Sequence, residues 1–175
     1  NGVDPRIVTG FLLAEQQHQT ANEDALDFLA AARLGKNTSI GVAQITLENG
    51  MADEGALLSD TVDPTSRRWM STRDAATYLA SDEHAIFAAA KFIRQTANEG
   101  ARVLSDPNAL PKTRERYPDM DFSALAKNSS HWTYQHVALL GSEYTSTAWD
   151  DDLHLWGGVV AQFTRVAVDS GIFSK

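Results

Sequence analysis

One carboxylate of this chain occupies an unusual place, in the apolar stripe of a predicted helix. Asp4 and Pro5 are typical of a helix start, because Asp caps the first turn and Pro needs no N–H there. The apolar residues that follow at helical spacing are Val8, Phe11 and Leu12. Glu15 is the next position of that stripe. A carboxyl group partly withdrawn from water has a raised pKa and suits a general acid, so Glu15 is the candidate catalytic residue. The alternative is a solvated glutamate near a helix end.

Two further segments follow the Glu15 helix along the chain. The first is Gly41-Val42-Ala43-Gln44-Ile45, which follows a polar loop ending at Ser39 and precedes Thr46. The second is Tyr144, which stands near the end of a predicted helix. Taken alone, such a tyrosine is more often a core aromatic whose hydroxyl finds a carbonyl.

The order of these elements resembles the lysozyme-like superfamily of lytic transglycosylases and goose-type lysozymes. Those enzymes carry their acid on a long helix, follow it with a Gly-Leu-Met-Gln-Ile type element, and place an Ala-Tyr-Asn motif near the end of the fold. The resemblance implies that Glu15 is the acid, that Gly41 is a close-approach glycine, and that Gln44 and Tyr144 line the sugar cleft. It covers most of the chain from Pro5 to Ser146 through short motifs only.

Several positions depart from the family pattern. Gln16 follows the acid where serine is usual, and the long segment before Gly41 leaves Ser39 as the best match for the cleft serine. Thr46 stands where goose-type hydrolases have an aspartate, and we expect it to contact substrate. A third motif matches over residues 85 to 93, with Ala85 in place of asparagine.

The second carboxylate that glycoside hydrolysis ordinarily needs is not fixed by the sequence. The candidates are Asp24, Asp27 and Glu48. If none of them serves, a lytic transglycosylase route is open, in which the sugar's own hydroxyl displaces the leaving group and one residue acts as acid and then as base.

Composition excludes several classes of protein. The 175 residues, 43% hydrophobic and 22% charged, suit one domain with a substantial core. A net charge of −8 argues against nucleic-acid binding. The absence of cysteine excludes thiolate catalysis and disulfides. No apolar run is long enough to span a membrane. The start at Asn1 without methionine favours a fragment of a longer chain.

A metal site or other cofactor is not expected. His131, His136 and His154, with the acidic run 150–152, could be combined into a site only on paper. The spacing of five between His131 and His136 places them on different helix faces, unlike the pairs of zinc hydrolases.

The sequence predicts a mostly α, lysozyme-like single domain over residues 1–175, with several packed helices around a substrate cleft. The predicted helices span residues 5–18, 24–34, 41–48, 73–79, 83–98, 122–127, 131–143 and 151–169, with at most a short hairpin in the loops. Two stripes are expected to pack. One is a narrow stripe of mostly small residues that lets a neighbouring helix come close, formed by Ile86, Ala89, Ala90, Ile93 and Ala97. The other faces the core and is formed by Leu155, Val159, Phe163 and Val166.

Two functions follow from this interpretation. The first is cleavage of peptidoglycan between N-acetylmuramic acid and N-acetylglucosamine, in a domain secreted or delivered to the bacterial periplasm or cell wall. Its expected partners are peptidoglycan, an immunity protein and other domains of the parent chain. The alternative is a noncatalytic lysozyme-like module that binds glycan or a protein.

Overall fold

The computed structural model describes residues 2–18, 39–46, 72–146 and 154–173. Its fold is mostly α, as predicted. The α-helices are α1 (Pro5–His18), α2 (Thr72–Leu79), α3 (Asp82–Val103), α4 (Pro111–Arg116), α5 (Tyr134–Ser146) and α6 (His154–Asp169). Two 3-10 helices span Phe122–Ala126 and Ser129–His131, and the strands β1 (Ser39–Ile40) and β2 (Ile45–Thr46) form an antiparallel hairpin. None of the helices in these ranges has the length and apolar character to cross a membrane.

The chain divides into two compact units. The first comprises residues 1–14 and 93–175, and the second comprises residues 15–92. The two boundaries fall inside α1 and inside α3, so Glu15 is the first residue of the second unit.

The start of α1 is fixed by the cap that the sequence predicts. The carboxylate of Asp4 accepts the backbone N–H of Arg6 at 2.9 Å, and the Arg6 guanidinium donates to the same carboxylate. The backbone N–H of Asp4 donates to Ser129 Oγ at 2.7 Å. Because the side-chain hydrogen bond from Arg6 favours the ionised form, the pKa of the Asp4 carboxyl lies below its usual value.

Glycines bring helices of the first unit together. A Cβ on Gly10 of α1 would lie 2.7 Å from the backbone nitrogen of Thr164 on α6. A Cβ on Gly157 of α6 would lie 1.9 Å from the carbonyl oxygen of Ala138 on α5. Both contacts exist only because these glycines have no side chain, so the close packing of α6 depends on them.

The buried face of α1 differs slightly from the predicted stripe. It consists of Ile7, Val8, Phe11 and Ala14, together with Gly10. Leu12, expected on this face, is only half-buried. The stripe is therefore turned toward Ile7 and Ala14, and Glu15 lies at its edge rather than at its centre.

The predicted stripe on α6 is wrong in register, whereas the predicted stripe on α3 is largely confirmed. On α6, Leu155 is 77% exposed and Val166 is 52% exposed, whereas the buried positions are Gly157, Val160, Thr164 and Ala167. On α3, Ala89, Ile93 and Ala97 are buried as predicted, whereas Ile86 is exposed and Ala90 is half-buried. Small residues make up most of the packing face of both helices, with Ile93 and Val160 as larger members.

Helix boundaries also differ from the prediction. Gly100 does not end α3, which continues to Val103. The proline-containing excursion after it holds the short helix α4, which begins at Pro111 after a left-handed Leu110 (φ 51°). The predicted helix over residues 24–34 lies outside the described residues.

Candidate active site

Glu15 lies in the last turn of α1 and is half-buried. Its Oε1 is withdrawn from solvent. Phe11, which precedes it by one helical turn on the same face, is fully buried. The helix therefore holds one oxygen of this carboxyl group away from bulk water, the environment that disfavours the charged form of an acid.

The predicted helix over residues 41–48 is wrong, because residues 39–46 form a β-hairpin. Ser39 pairs with Thr46 and Ile40 pairs with Ile45, and residues 41–44 make the turn between them. The backbone N–H of Gln44 donates to the carbonyl of Gly41 at 2.9 Å and closes this turn. The pattern Gly-x-x-Gln misleads at this point, since it fits the first turn of a helix as well as a tight turn.

Gly41 is required by both its conformation and its surroundings. Its φ is +72°, in the left-handed region that favours glycine. A Cβ at this position would lie 2.1 Å from the carbonyl oxygen of Leu79, the last residue of α2, and 3.3 Å from the Cβ of Ala85 on α3. The close approach that Gly41 permits is therefore to the protein's own α2–α3 corner.

Gln44 is held in a strained and well-defined position. Its φ is +47°, which is uncommon for a residue with a Cβ. Its side-chain Nε2 donates to the carbonyl of Gly41 at 3.2 Å. This hydrogen bond fixes the amide plane, which leaves the amide oxygen of a half-buried side chain as a group that a ligand could use.

The second unit thus contains four of the predicted site residues. Glu15 and Gln44 are described with their side chains, and Ser39 and Thr46 are described as directly opposed backbone positions of the hairpin. The side chains of Ser39 and Thr46 lie outside the described part, and so do the three candidates for a second carboxylate, Asp24, Asp27 and Glu48.

Tyr144 belongs to the first unit and is 7% exposed. Its ring meets the ring of Phe11 edge-on, with centroids 5.1 Å apart and planes at 61°. This contact gives Tyr144 a place in the packing of α5 against α1, and its role at a sugar cleft stays a prediction.

Glu143 is a buried carboxylate to which the family resemblance assigns no role. It is 3% exposed and stands beside Tyr144 on α5. Leu139 and Leu140, both buried, precede it by four and three residues. The sequence pattern at Glu143 is therefore the same as at Glu15, because in both cases an acidic residue follows apolar residues at helical spacing.

His136 has a structural environment. Its Nδ1 accepts the backbone N–H of Thr133 at 3.0 Å, and its Nε2 lies 2.9 Å from the carbonyl oxygen of Asp121 and donates to it. Both ring nitrogens are therefore engaged with the protein. Across the described ranges, no three His, Asp or Glu side chains are grouped as a metal site would require.

The chain is similar to a known protein family and to a known relative. Residues 1–98 match the family model described as "T6SS, Peptidoglycan muramidase Tse3, catalytic domain". The matched range contains Glu15, the hairpin and α2. The chain is also 42% identical over 150 residues to the peptidoglycan muramidase Tse3 of Pseudomonas aeruginosa. That alignment covers 85% of this chain and 36% of the relative, so the chain spans about a third of the relative's length.

Proposed function

Because this chain belongs to the Tse3 catalytic-domain family, we propose that it cleaves the glycan strands of peptidoglycan between N-acetylmuramic acid and N-acetylglucosamine. Membership of this family agrees with the resemblance to lysozyme-like muramidases drawn from the motifs around Glu15, Gln44 and Tyr144. The relative carries the printed name of a peptidoglycan muramidase, and that name supports the proposed substrate.

The observation that carries the proposal is the setting of Glu15. General acid catalysis requires a carboxyl group that stays protonated until it meets the leaving oxygen, and withdrawal from water favours that form. Glu15 combines a half-buried side chain, an Oε1 shielded from solvent, and a position inside the range that the family model matches. In the proposed reaction its proton passes to the glycosidic oxygen as the bond to the anomeric carbon breaks.

The hairpin supplies the proposed substrate contacts. Gln44 sits at a left-handed turn position, where its amide is held by Gly41, and we assign it to hydrogen bonding of a sugar substituent. Ser39 and Thr46 flank this turn as an opposed pair and are assigned to the same glycan. Tyr144 is the fourth proposed substrate residue, on the strength of the motif in which it stands.

Hydrolysis and lytic transglycosylation are distinguished by their products. Hydrolysis adds water to the anomeric carbon and leaves a reducing end. In lytic transglycosylation the sugar's own hydroxyl oxygen attacks the anomeric carbon and loses its proton, which leaves a 1,6-anhydro end. Mass analysis of fragments released from purified sacculi separates the two, since the anhydro product is lighter by one water. Both routes begin with protonation by Glu15, so the proposal holds in either case.

Glu15→Gln tests the proposal with a side chain of the same shape. Purified sacculi should lose turbidity with the wild-type chain and keep it with the variant. Glu115→Gln, a change at an exposed position of α4, is the matched control and should behave like the wild type. Equal turbidity loss from wild type and Glu15→Gln would exclude Glu15 as the general acid, and no loss from either would favour the noncatalytic module that binds glycan or a protein.

The name of the family also indicates where this chain would act and which partners it would have. A catalytic domain of a T6SS muramidase family is expected to act in the periplasm or cell wall of a bacterial cell, where its substrate lies. We propose that this chain works there, together with further domains of a longer protein, and that an immunity protein protects cells that make it. Co-purification from the producing cell would identify such a protein.

A further inference from the structure

Two aromatic rings of the second unit are stacked at the corner between α2 and α3. Tyr78 stands near the end of α2, and His84 stands in the first turn of α3. Their ring centroids are 3.9 Å apart and their planes differ by 5°. This face-to-face contact spans the short turn at Ala80 and Ser81 and fixes the two rings relative to each other.

Both stacked side chains carry a buried polar atom that is not satisfied. Tyr78 is 8% exposed, and its Oη has no hydrogen-bond partner in the part of the chain that the structure describes. The same holds for Nδ1 of His84, whose ring is half-buried. Buried hydroxyl and imidazole groups are almost always paired, and an unpaired one destabilises the fold. Two such atoms on one ring stack point to a ligand group that completes their hydrogen bonds.

The stack lies next to the hairpin turn that carries Gln44. A Cβ on Gly41 would lie against Leu79, which follows Tyr78, and Ala85, which follows His84. The tight turn and the ring stack are therefore neighbours within one unit.

The charges at the corner select the kind of ligand. Asp82 and Glu83 form the acidic first turn of α3 and are exposed. They oppose an anionic ligand such as a carboxylate. Tyrosine can donate or accept, and neutral imidazole can do either at Nδ1, depending on its tautomer. A neutral group with one donor and one acceptor matches this pair, and the acetamido group of an N-acetylated sugar has both.

We propose that Tyr78 and His84 form a subsite that binds the acetamido group of a sugar in the glycan strand. This inference rests on the proposed function, because it assumes a peptidoglycan-type glycan in the hairpin site. It adds a specificity determinant on α2 and α3 to the residues assigned to the hairpin.

The test uses a tetramer of N-acetylglucosamine and its de-N-acetylated counterpart as probes. Calorimetric titration should show about tenfold weaker binding of the acetylated tetramer to Tyr78→Phe than to the wild type, the size of effect expected from one lost hydrogen bond. The melting temperature should stay equal or rise, because the variant removes a buried hydroxyl that lacks a partner. His84→Phe, which keeps a stacked ring, should weaken binding in the same way.

Tyr134→Phe is the matched control, since it removes the hydroxyl of a ring that is 37% exposed in the other unit, and it should bind like the wild type. Unchanged binding by Tyr78→Phe, or an equal loss for both tetramers, would overturn the subsite, as would a loss of binding that accompanies a fall in melting temperature. Sacculus cleavage is scored separately. A wild type that binds the acetylated tetramer through Tyr78 but cleaves nothing would sink the proposed function and leave the subsite standing.

Discussion

At the scale of the residue, the candidate site is held by backbone geometry as much as by side chains. Gln44 has a left-handed φ of 47°, and the hairpin turn closes through its N–H to the carbonyl of Gly41. Gly41 cannot be replaced by a larger residue, because a Cβ there would strike the Leu79 carbonyl. Strain of this kind persists only where the surrounding structure enforces it, and it is concentrated at functional positions.

Substitutions of Gln44 should separate the effect of its backbone conformation on stability from the effect of its side-chain amide on activity. Asparagine tolerates the left-handed region, so Gln44→Asn should leave the melting temperature unchanged or raise it. Its shorter side chain moves the amide away from the glycan, and kcat/KM on sacculi should fall about tenfold. Gln44→Ala should lose both activity and stability. Thermal melting and turbidity assays check this, and full activity in Gln44→Asn would refute the proposed contact.

At the scale of the element, two adjacent glycines of α6 should respond in opposite ways to alanine. A Cβ on Gly157 would overlap the Ala138 carbonyl, and we expect Gly157→Ala to destabilise the fold by about 3 kcal/mol. A Cβ on Gly158 meets nothing within 4 Å. Gly158→Ala should therefore stabilise by roughly 0.5–1 kcal/mol through helix propensity alone. Denaturant unfolding measures both, and similar effects from the two changes would contradict the packing described for α5 and α6.

The cap of α1 should make the free energy of unfolding depend on pH in the acidic range. The pKa of Asp4 is lowered in the folded state, mainly by the hydrogen bond from Arg6, so its contribution is present above the unfolded value near 3.8. It is lost as the pH falls through the lower folded value. Asp4→Ala should cost about 1 kcal/mol at neutral pH, with the difference from wild type shrinking toward pH 2. Asp119→Ala, at an exposed position, is the control, and a difference that persists at pH 2 would exclude the ionised cap.

The helices show what the sequence could and could not predict. The start of α1 follows from Asp4 and Pro5, which act locally. The packing face of α3 follows in large part from its stripe of small residues. The face of α6 does not follow, because this helix carries apolar residues on more than one side and its packing depends on the close approach of Gly157 to the Ala138 carbonyl. The hairpin over residues 39–46 could not be predicted, because strands of two residues each are too short to show an alternating pattern.

At the scale of the whole molecule, one arginine ties together segments that are distant in the sequence. The Arg94 guanidinium donates to the carbonyls of Gly2, Leu125 and Lys127 at 2.8, 3.2 and 2.9 Å. It also lies over the ring of Trp132, with its Cζ 4.6 Å from the ring centroid. Burial lowers the pKa of Arg94 from its usual value. Arg94 thus adds to the hydrogen bond between Asp4 and Ser129 in joining the amino-terminal residues of the first unit to its later segments.

Lysine cannot reproduce the planar fork that makes these bonds. We expect Arg94→Lys to lower the free energy of unfolding by about 2 kcal/mol, because carbonyl acceptors lose their partners while the positive charge is kept. Arg102→Lys is the control, since Arg102 is exposed and bonds to Glu99 on its own helix. Chemical denaturation of both variants checks this, and equal stability would show that the three carbonyl contacts contribute little.

The candidate site could be predicted in part because its residues occur in a recognisable order along the chain. Glu15 stands out by helical spacing alone, and Gln44 and Tyr144 gain their meaning from the motifs around them. Tyr78 and His84 could not be found in this way, because their stacking depends on the turn between α2 and α3. Glu143 could have been found, as the spacing behind Leu139 and Leu140 resembles that of Glu15.

The rate of glycan cleavage by Glu15→Gln is the most direct test of the account. The variant keeps the shape of the side chain and removes the acidic proton. With purified sacculi and the Glu115→Gln control in parallel, we predict a rate at least about a hundredfold below that of the wild type, the smallest contribution expected of a general acid. A Glu15→Gln variant that cleaves within a factor of two of the wild type would contradict the account.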